Sequence, residues 1–221
     1  MAGRAVTCLI CVMGTNVAPL LRLMLVTDDA AVEGRDLVGL ARAAERGGVT
    51  SVQLRLKRAA PREQVAAARA LVAALRVPVL VNDRPDIAVA SGAAGVHVGP
   101  GDLPPLLARR VLPPEMILGV SVGTPQEALT AGAGAYWGVG PWRETATKGD
   151  AGRAIGASGL EAVIRESGGR PCIAIGGIRP EDVREVIAAG AAGVAVVSGI
   201  LGAPDVEAAA RRYADALSAA G

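Results

Sequence analysis

From Arg22 onward, short apolar runs alternate with Ala-rich stretches of helical period. The apolar runs Leu23–Thr27, Ser51–Leu54, Val79–Val81, Gly95–Val98, Ile117–Val120, Ala135–Val139, Cys172–Ile175 and Val194–Val197 are too short for helices, and most are rich in β-branched residues. They read as eight strands. Between the second and third lies Arg62–Leu75, in which Val65, Ala68, Leu71, Val72 and Leu75 recur at spacings of three and four while Arg62, Glu63 and Arg69 face elsewhere. That spacing predicts an amphipathic helix, with Pro61 in its first turn, where a missing N–H costs nothing. Pro180 opens a second helix in the same way, ahead of the last strand.

Three segments, Ser91–Val96, Ala131–Tyr136 and Ala189–Val194, look like one helix-to-strand loop used three times, each with a Gly where a helix can end left-handed. An open doubly wound sheet would share this alternation, but no G-x-G-x-x-G turn follows the first strand. Strand count and length together predict an α/β fold of the closed (β/α)8 kind, a TIM barrel, as a single domain over residues 21–221. Residues 1–20 read as an extension of unknown role.

Composition narrows the function classes. The chain of 221 residues is 51% hydrophobic but only 2% aromatic, without Phe, so the expected core is Ala, Val, Leu and Ile, with ample burial without rings. A net charge of +2 from 23 basic and 21 acidic residues is too balanced for a nucleic-acid surface. No stretch approaches the roughly 20 uninterrupted apolar residues of a membrane helix. Val6–Met13 after Arg4 faintly resembles a secretory signal, but Gly14–Asn16 is a poor cleavage site. Cys8, Cys11 and Cys172 suggest no disulfide framework, and a reducing cytoplasm is the expected location. Cys8 and Cys11 form a bare C-x-x-C without further ligands for zinc or redox chemistry. The sequence leaves self-association into a homo-oligomer open.

In a barrel the active site lies at the carboxyl ends of the strands, so the polar residues that follow each apolar run are the candidates. Strand two runs into Gln53, Arg55 and Lys57, which alternate toward one side and bring two cations together. Strand three ends in Asn82-Asp83-Arg84, and strand four in His97, with Asp102 five residues on. Two carboxylates beside two cations form a plausible site for Mg²⁺ and a phosphate, since Mg²⁺ is held by one or two carboxylates plus substrate oxygens. The competing reading makes Asp83 and Asp102 helix caps ahead of Pro85 and Pro104, Arg55 and Lys57 a solvated charge run, and His97 a structural imidazole.

The longest irregular connection, Gly140–Gly152, carries Thr145, Thr147 and Lys148, all able to donate to phosphate oxygens, and reads as a mobile lid. After strands seven and eight come Gly176-Gly177-Ile178 and Ser198-Gly199-Ile200, the usual place for a barrel phosphate cradle. Tight turning alone is the other reason for such glycines. Two anion sites suit a reaction with two substrates.

Taken in order, Gln53–Lys57, Val81–Arg84, Gly95–Gly99 with Asp102, Gly119–Ser121, Gly138–Pro141 with Thr145–Lys148, Ala174–Ile178 and Val196–Ser198 resemble the thiamine phosphate synthase family. The resemblance implies an enzyme that joins hydroxymethylpyrimidine diphosphate to hydroxyethylthiazole phosphate and releases pyrophosphate. It implies Mg²⁺ on Asp83 and Asp102, and Arg55, Lys57, Asn82, Ser121 and Lys148 around the diphosphate, with Lys57, Lys148 and Ser121 closest to the chemistry. Gln53 would read the pyrimidine, while Thr145, Thr147, Gly177, Val197 and Ser198 would hold the thiazole phosphate. The implied chemistry is dissociative: the diphosphate departs first and the thiazole nitrogen captures a pyrimidine-methyl cation, so no protein nucleophile is needed. Leu56, Met24 and Pro100 depart from the family pattern, which usually has Glu, an aromatic and Gln there, and these changes bear on the pyrimidine pocket.

Two rivals are kept. The homologous thiazole tautomerase uses a His shortly after strand five, where Ser121-Val122-Gly123 offers none, although the tail near Val197 and Ala209–Tyr213 resembles that group. A non-catalytic barrel that senses a phosphorylated metabolite would keep the cradle but has no use for two carboxylates.

Overall fold

Strands that are apolar on both faces must be covered on both faces, and a closed parallel barrel ringed by helices does this. A computed structural model describes residues 17–144 and 153–221. Its strands are β1 (Leu23–Val26), β2 (Ser51–Leu54), β3 (Val79–Asn82), β4 (Gly95–Val98), β5 (Ile117–Val122), β6 (Tyr136–Val139), β7 (Cys172–Ile175) and β8 (Gly193–Val196). They form a closed barrel in sequence order, every pair parallel, with β8 returning to β1 through Leu23–Val194 and its neighbours. The helices are α1 (Asp29–Val32), α2 (Leu37–Arg46), α3 (Pro61–Ala74), α4 (Pro85–Ser91), α5 (Pro105–Val111), α6 (Pro125–Ala128), α7 (Gly156–Arg165), α8 (Val183–Ala188), α9 (Ser198–Leu201) and α10 (Val206–Ala219). The expected eight strands are all present, with ends shifted by a residue or two. None of the helices is long and apolar enough to cross a membrane, among the described residues.

The two-residue period of each strand divides the core in two. Leu23, Leu25, Val52, Leu54, Val79, Val81, Val96 and Val98 point outward and pack under the helices. Met24, Val26, Leu80, Ile117, Tyr136, Ile173 and Ala195 point inward and fill the barrel. Val17 and Leu21 join this inner cluster. A 3-10 turn, Ala18–Leu21, closes the amino-terminal mouth, and the Leu20 carbonyl accepts hydrogen bonds from the Thr50 and Ser51 hydroxyls at 3.0 and 2.6 Å.

The expectation of a ring-free core fails. Trp137, Tyr136 and Tyr213 are the bulkiest fully buried side chains, and Trp142 is buried as well, so all the aromatic residues of the chain lie inside. Trp137 Nε1 donates to the Ala131 carbonyl at 3.1 Å, and the Arg170 guanidinium stacks 5.1 Å from its ring centre.

The repeated helix-to-strand loop holds in two of three places. Gly92 and Gly190 are left-handed, whereas Gly132 is not among the positive-φ residues, because α6 ends earlier, at Ala128, and a further turn separates it from β6. Pro61 and Pro180 do occupy first turns, the latter in a short 3-10 turn, Pro180–Asp182, that leads into α8.

Candidate active site

A cavity of about 450 Å³ opens at the carboxyl ends of the strands, within the size range of small-molecule sites. Gln53, Arg55, Asn82, Ser121, Gly177, Val197 and Ser198 line it. Lys57, Asp83 and Asp102 flank it on the β2–β4 side of the same rim. Lys57 Nζ lies 3.3 Å from Asp83 Oδ2, and the Asp83 and Asp102 carboxyls are in hydrogen-bond contact. Thr145, Thr147 and Lys148 lie outside the described residues, as do Cys8 and Cys11.

The capping alternatives are excluded. The helix that starts at Pro85 is preceded by Arg84 and the one that starts at Pro105 by Pro104, and neither has a side-chain cap. Asp102 instead folds back to accept the Gly99 N–H at 2.7 Å. Asp83 sits at φ +66°, a left-handed conformation that is uncommon outside Gly, Asn and Asp. The Asp83 N–H donates to the His97 carbonyl at 2.7 Å, which holds the β3 end against β4. Desolvation first, then contact with Asp102, push Asp83 up to about 6, against the pull of Lys57. Two carboxyls held together in this way favour a shared cation or a shared proton.

Arg55 and Lys57 do not converge on one group as the alternation suggested. The strand ends at Leu54, so the chain turns, and the two cations take different partners. Arg55 pairs with Asp28 at 2.8 Å, both largely buried, while Lys57 faces Asp83. The β1 end organises this loop. Asp29 accepts the N–H groups of Lys57 and Arg58 at 2.9 and 3.1 Å, and Thr27 Oγ1 accepts that of Arg55 at 2.8 Å.

The inner end of the cavity holds a buried polar chain. His97 Nδ1 lies 2.9 Å from the Tyr136 hydroxyl and Nε2 lies 3.0 Å from Ser121 Oγ. The Gln53 amide adjoins the same phenol, and its Nε2 also reaches Met24 Sδ at 3.7 Å. Burial pushes the Tyr136 phenol far above its ordinary value, so it stays protonated.

The opposite wall is built from backbone. Gly176 and Gly177 have φ of +100° and +67°, and a Cβ on Gly176 would lie 2.6 Å from Pro141 Cβ. Trp142 and Arg143 donate their N–H groups to the Ile175 and Gly176 carbonyls, while Ile155 and Gly156 donate to those of Pro141 and Trp142. The stem of the long connection is therefore strapped to the β7 turn, and Arg143 pairs with Asp182 beyond it. Behind α9, Tyr213 crosses from α10 and donates to the Ile178 carbonyl at 2.9 Å, and Gly199 leaves room for that ring.

The family model for thiamine monophosphate synthase matches residues 23–200. A thiamine-phosphate synthase of Xanthobacter autotrophicus is 49% identical over 205 residues, covering 90% of this chain and 97% of that protein. One from Azorhizobium caulinodans is 46% identical, covering 86% and 92%. The solved thiamine phosphate pyrophosphorylase of Pyrococcus furiosus superposes with a TM-score of 0.84 at 34% identity, covering 93% of this chain and 99% of that one. The chain belongs to the thiamine monophosphate synthase family.

As a member of that family it carries its departures unevenly. Met24 and Pro100 line the cavity, but Leu56 packs into the outer layer beneath the helices, so this change lies away from the substrate space. Reading polar residues after apolar runs missed Asp28 and Asp29, although they stand where that rule looks, directly after β1. Arg153, an exposed cation on the cavity wall, stands one residue past the glycine taken as the end of the long connection. Tyr136 shares the inward parity of Gly138, a signal visible once β6 is placed. Cys172 is buried and its thiol is pushed up to about 11 by desolvation, which makes it inert.

Proposed function

We propose that this protein joins hydroxymethylpyrimidine diphosphate to hydroxyethylthiazole phosphate, giving thiamine phosphate and pyrophosphate. One observation carries the reading: Asp83 and Asp102 touch beside Lys57 on the rim of a cavity whose other wall is the Gly176-Gly177 turn and Ser198. A diphosphate suits the first side and a monophosphate the second. Membership of the family makes the protein a transferase.

Asp83 and Asp102 fit a Mg²⁺ ion. Desolvation, and then the contact with Asp102, raise Asp83 toward neutrality, and a divalent cation between the two carboxyls would relieve their repulsion. No group of three or more His, Cys, Asp or Glu is arranged for a metal among the described residues. Mg²⁺ accepts such a sparse protein set, because it keeps waters and takes substrate oxygens. When bound, it would neutralise charge on the departing diphosphate.

The protein's own groups then hold and orient. Lys57 and Ser121 contact the leaving group, with Asn82 and Arg55, which is paired with Asp28, beside it. Lys148 is assigned the same role from the family pattern. The C–O bond to the pyrimidine methylene breaks first and its electron pair leaves with pyrophosphate. The thiazole nitrogen lone pair then forms the new C–N bond. Such a reaction asks for charge stabilisation and positioning and needs no nucleophile. Gln53 addresses the pyrimidine from the inner end. Gly177, Val197 and Ser198, with Thr145 and Thr147, hold the thiazole phosphate, and Arg153 adds a cation to that wall.

The tautomerase reading is disfavoured by the only histidine of the chain. His97 is buried on β4 and bonded to Tyr136 and Ser121 rather than presented after β5. The test is to mix purified protein with both phosphorylated precursors and Mg²⁺ and to measure pyrophosphate. Release that disappears on chelation is expected. Release unaffected by chelation overturns the metal assignment, and no release overturns the activity. Asp83→Ala separates enzyme from sensor, because the enzyme loses most turnover while either protein still binds thiazole phosphate.

A further inference from the structure

A line of side chains runs through the barrel from β2 to β5: Gln53, Tyr136, His97 and Ser121. Gly119 and Gly138 exist in part to admit it. A Cβ on Gly119 would lie 2.4 Å from the Tyr136 hydroxyl and 2.5 Å from His97 Nδ1, and one on Gly138 would lie 2.9 Å from His97 Cε1. Glycines on two adjacent strands thus open a slot for one phenol and one imidazole. The end of the line nearer the Asp102 side of the cavity is Ser121, whose Oγ would lie 3.8 Å from a Cβ on Gly99, while Asp102 Oδ2 would lie 3.2 Å from the same point. The hydroxyl and the carboxylate therefore both lie beside Gly99.

We infer that Tyr136 and His97 are positioning residues that fix Ser121 as a hydrogen-bond donor toward the anion in the cavity. The Gln53 amide adjoins the Tyr136 phenol, and its Nε2 lies 3.7 Å from Met24 Sδ. The buried phenol keeps its proton, and in the proposed order it donates to His97 Nδ1, 2.9 Å away. With Nδ1 accepting, the neutral imidazole carries its hydrogen on Nε2. That hydrogen is donated to Ser121 Oγ at 3.0 Å. The serine oxygen is then an acceptor toward the barrel, and its hydroxyl hydrogen has one useful direction left, outward. Reversing the chain would turn Ser121 inward and present a lone pair to a phosphate oxygen, which repels. Hydrogen bonds in a dry interior polarise one another, so each link strengthens the next.

The inference deepens the function proposed above and rests on it only for the identity of the anion. His97 is the sole histidine, so ¹⁵N-histidine labelling of the intact protein gives one imidazole to observe. The long-range ¹⁵N–¹H spectrum is expected to show the Nε2–H tautomer; the Nδ1–H form overturns the proposal, and this needs neither a variant nor turnover. In Tyr136→Phe the imidazole loses its reason to carry hydrogen on Nε2, and the Nε2–H signature is expected to weaken. By calorimetry with inorganic pyrophosphate and Mg²⁺, both Tyr136→Phe and Ser121→Ala are expected to weaken binding about tenfold, a value of one charge-assisted hydrogen bond. The double variant is expected to be no weaker than Ser121→Ala alone. Losses that multiply mean that Tyr136 acts by itself, and they overturn the relay. If the tautomer and the coupling stand but no thiamine phosphate forms, the proposed reaction fails and the relay does not.

Discussion

The two walls of the cavity are built from different materials. The β2–β5 wall uses side chains: Lys57, Asp83, Asp102 and Ser121, held by Asp29, by Gly99 and by His97. The β6–β8 wall uses backbone: the Gly176-Gly177 turn, stapled to Pro141–Arg143 and backed by Tyr213. Charged side chains can be gathered against their mutual repulsion and released when a cation or substrate arrives. Apart from Arg153 the backbone wall has no charge to release, and its precision comes from having no room to move. The first wall should therefore hold function at the expense of stability, and the second should join the two.

The largest effect should come from Asp83→Asn, which keeps the shape, suits φ +66° and removes the charge. Turnover should fall by about 10²–10³, as for other removed electrostatic groups. Stability should move the other way. Because the folded carboxyl is raised to about 6, it costs the ligand-free protein stability as pH rises from its unfolded range through that value. At pH 7 the variant should melt about 2–4 °C higher, the shift expected for roughly 1 kcal/mol in a chain of this size. An unchanged or lowered melting temperature would mean that neither burial nor Asp102 penalises the Asp83 charge.

Gly176→Ala should do the reverse and lose stability together with function. Its φ of +100° and the 2.6 Å approach to Pro141 leave no space for a methyl group. A loss of about 1–3 kcal/mol is expected in urea unfolding, with a raised KM for the thiazole phosphate. Normal stability would show that this wall is softer than its packing implies.

Tyr213→Phe tests the brace behind that wall. It strands the buried Ile178 carbonyl and should cost about 1–2 kcal/mol. The KM for thiazole phosphate should rise and that for the pyrimidine diphosphate should not.

The smallest effect lies at the loop stem. Desolvation raises Asp182, but its bonds to Arg143 and to the Arg179 N–H outweigh that and hold it below its ordinary value. Its stabilisation is therefore present above the unfolded carboxylate range and lost as pH falls through the lower folded value. In Asp182→Asn the acid limb of a stability profile should flatten, with little change at pH 7 beyond the loss of the pair.

The same contrast governs what could be read in advance. Apolar runs of four or five residues at regular intervals announce the eight strands, because a strand buried on both faces must be apolar throughout. Polar residues at the ends of those runs announce Gln53, Lys57, Asp83 and Asp102, because barrel chemistry sits at strand ends. The family motifs add Ser121 and supply the roles proposed for these residues. Asp28 stands in equally plain view, but nothing along the chain says that Arg55 turns to it once β2 ends. Leu56 looked like a change to the pocket, and only its outward packing removes it from the substrate space.

What the amino-acid order determined by itself is the periodic burial and the inventory of chemical groups, because both depend on local spacing and side-chain type. Which groups meet was decided by the closed barrel. It set Asp83 against Asp102 instead of against a helix start, Arg55 against Asp28, and His97 between Tyr136 and Ser121. Each of those contacts joins residues from different strands or strand ends, and distances across a barrel depend on register and closure, which no single segment encodes.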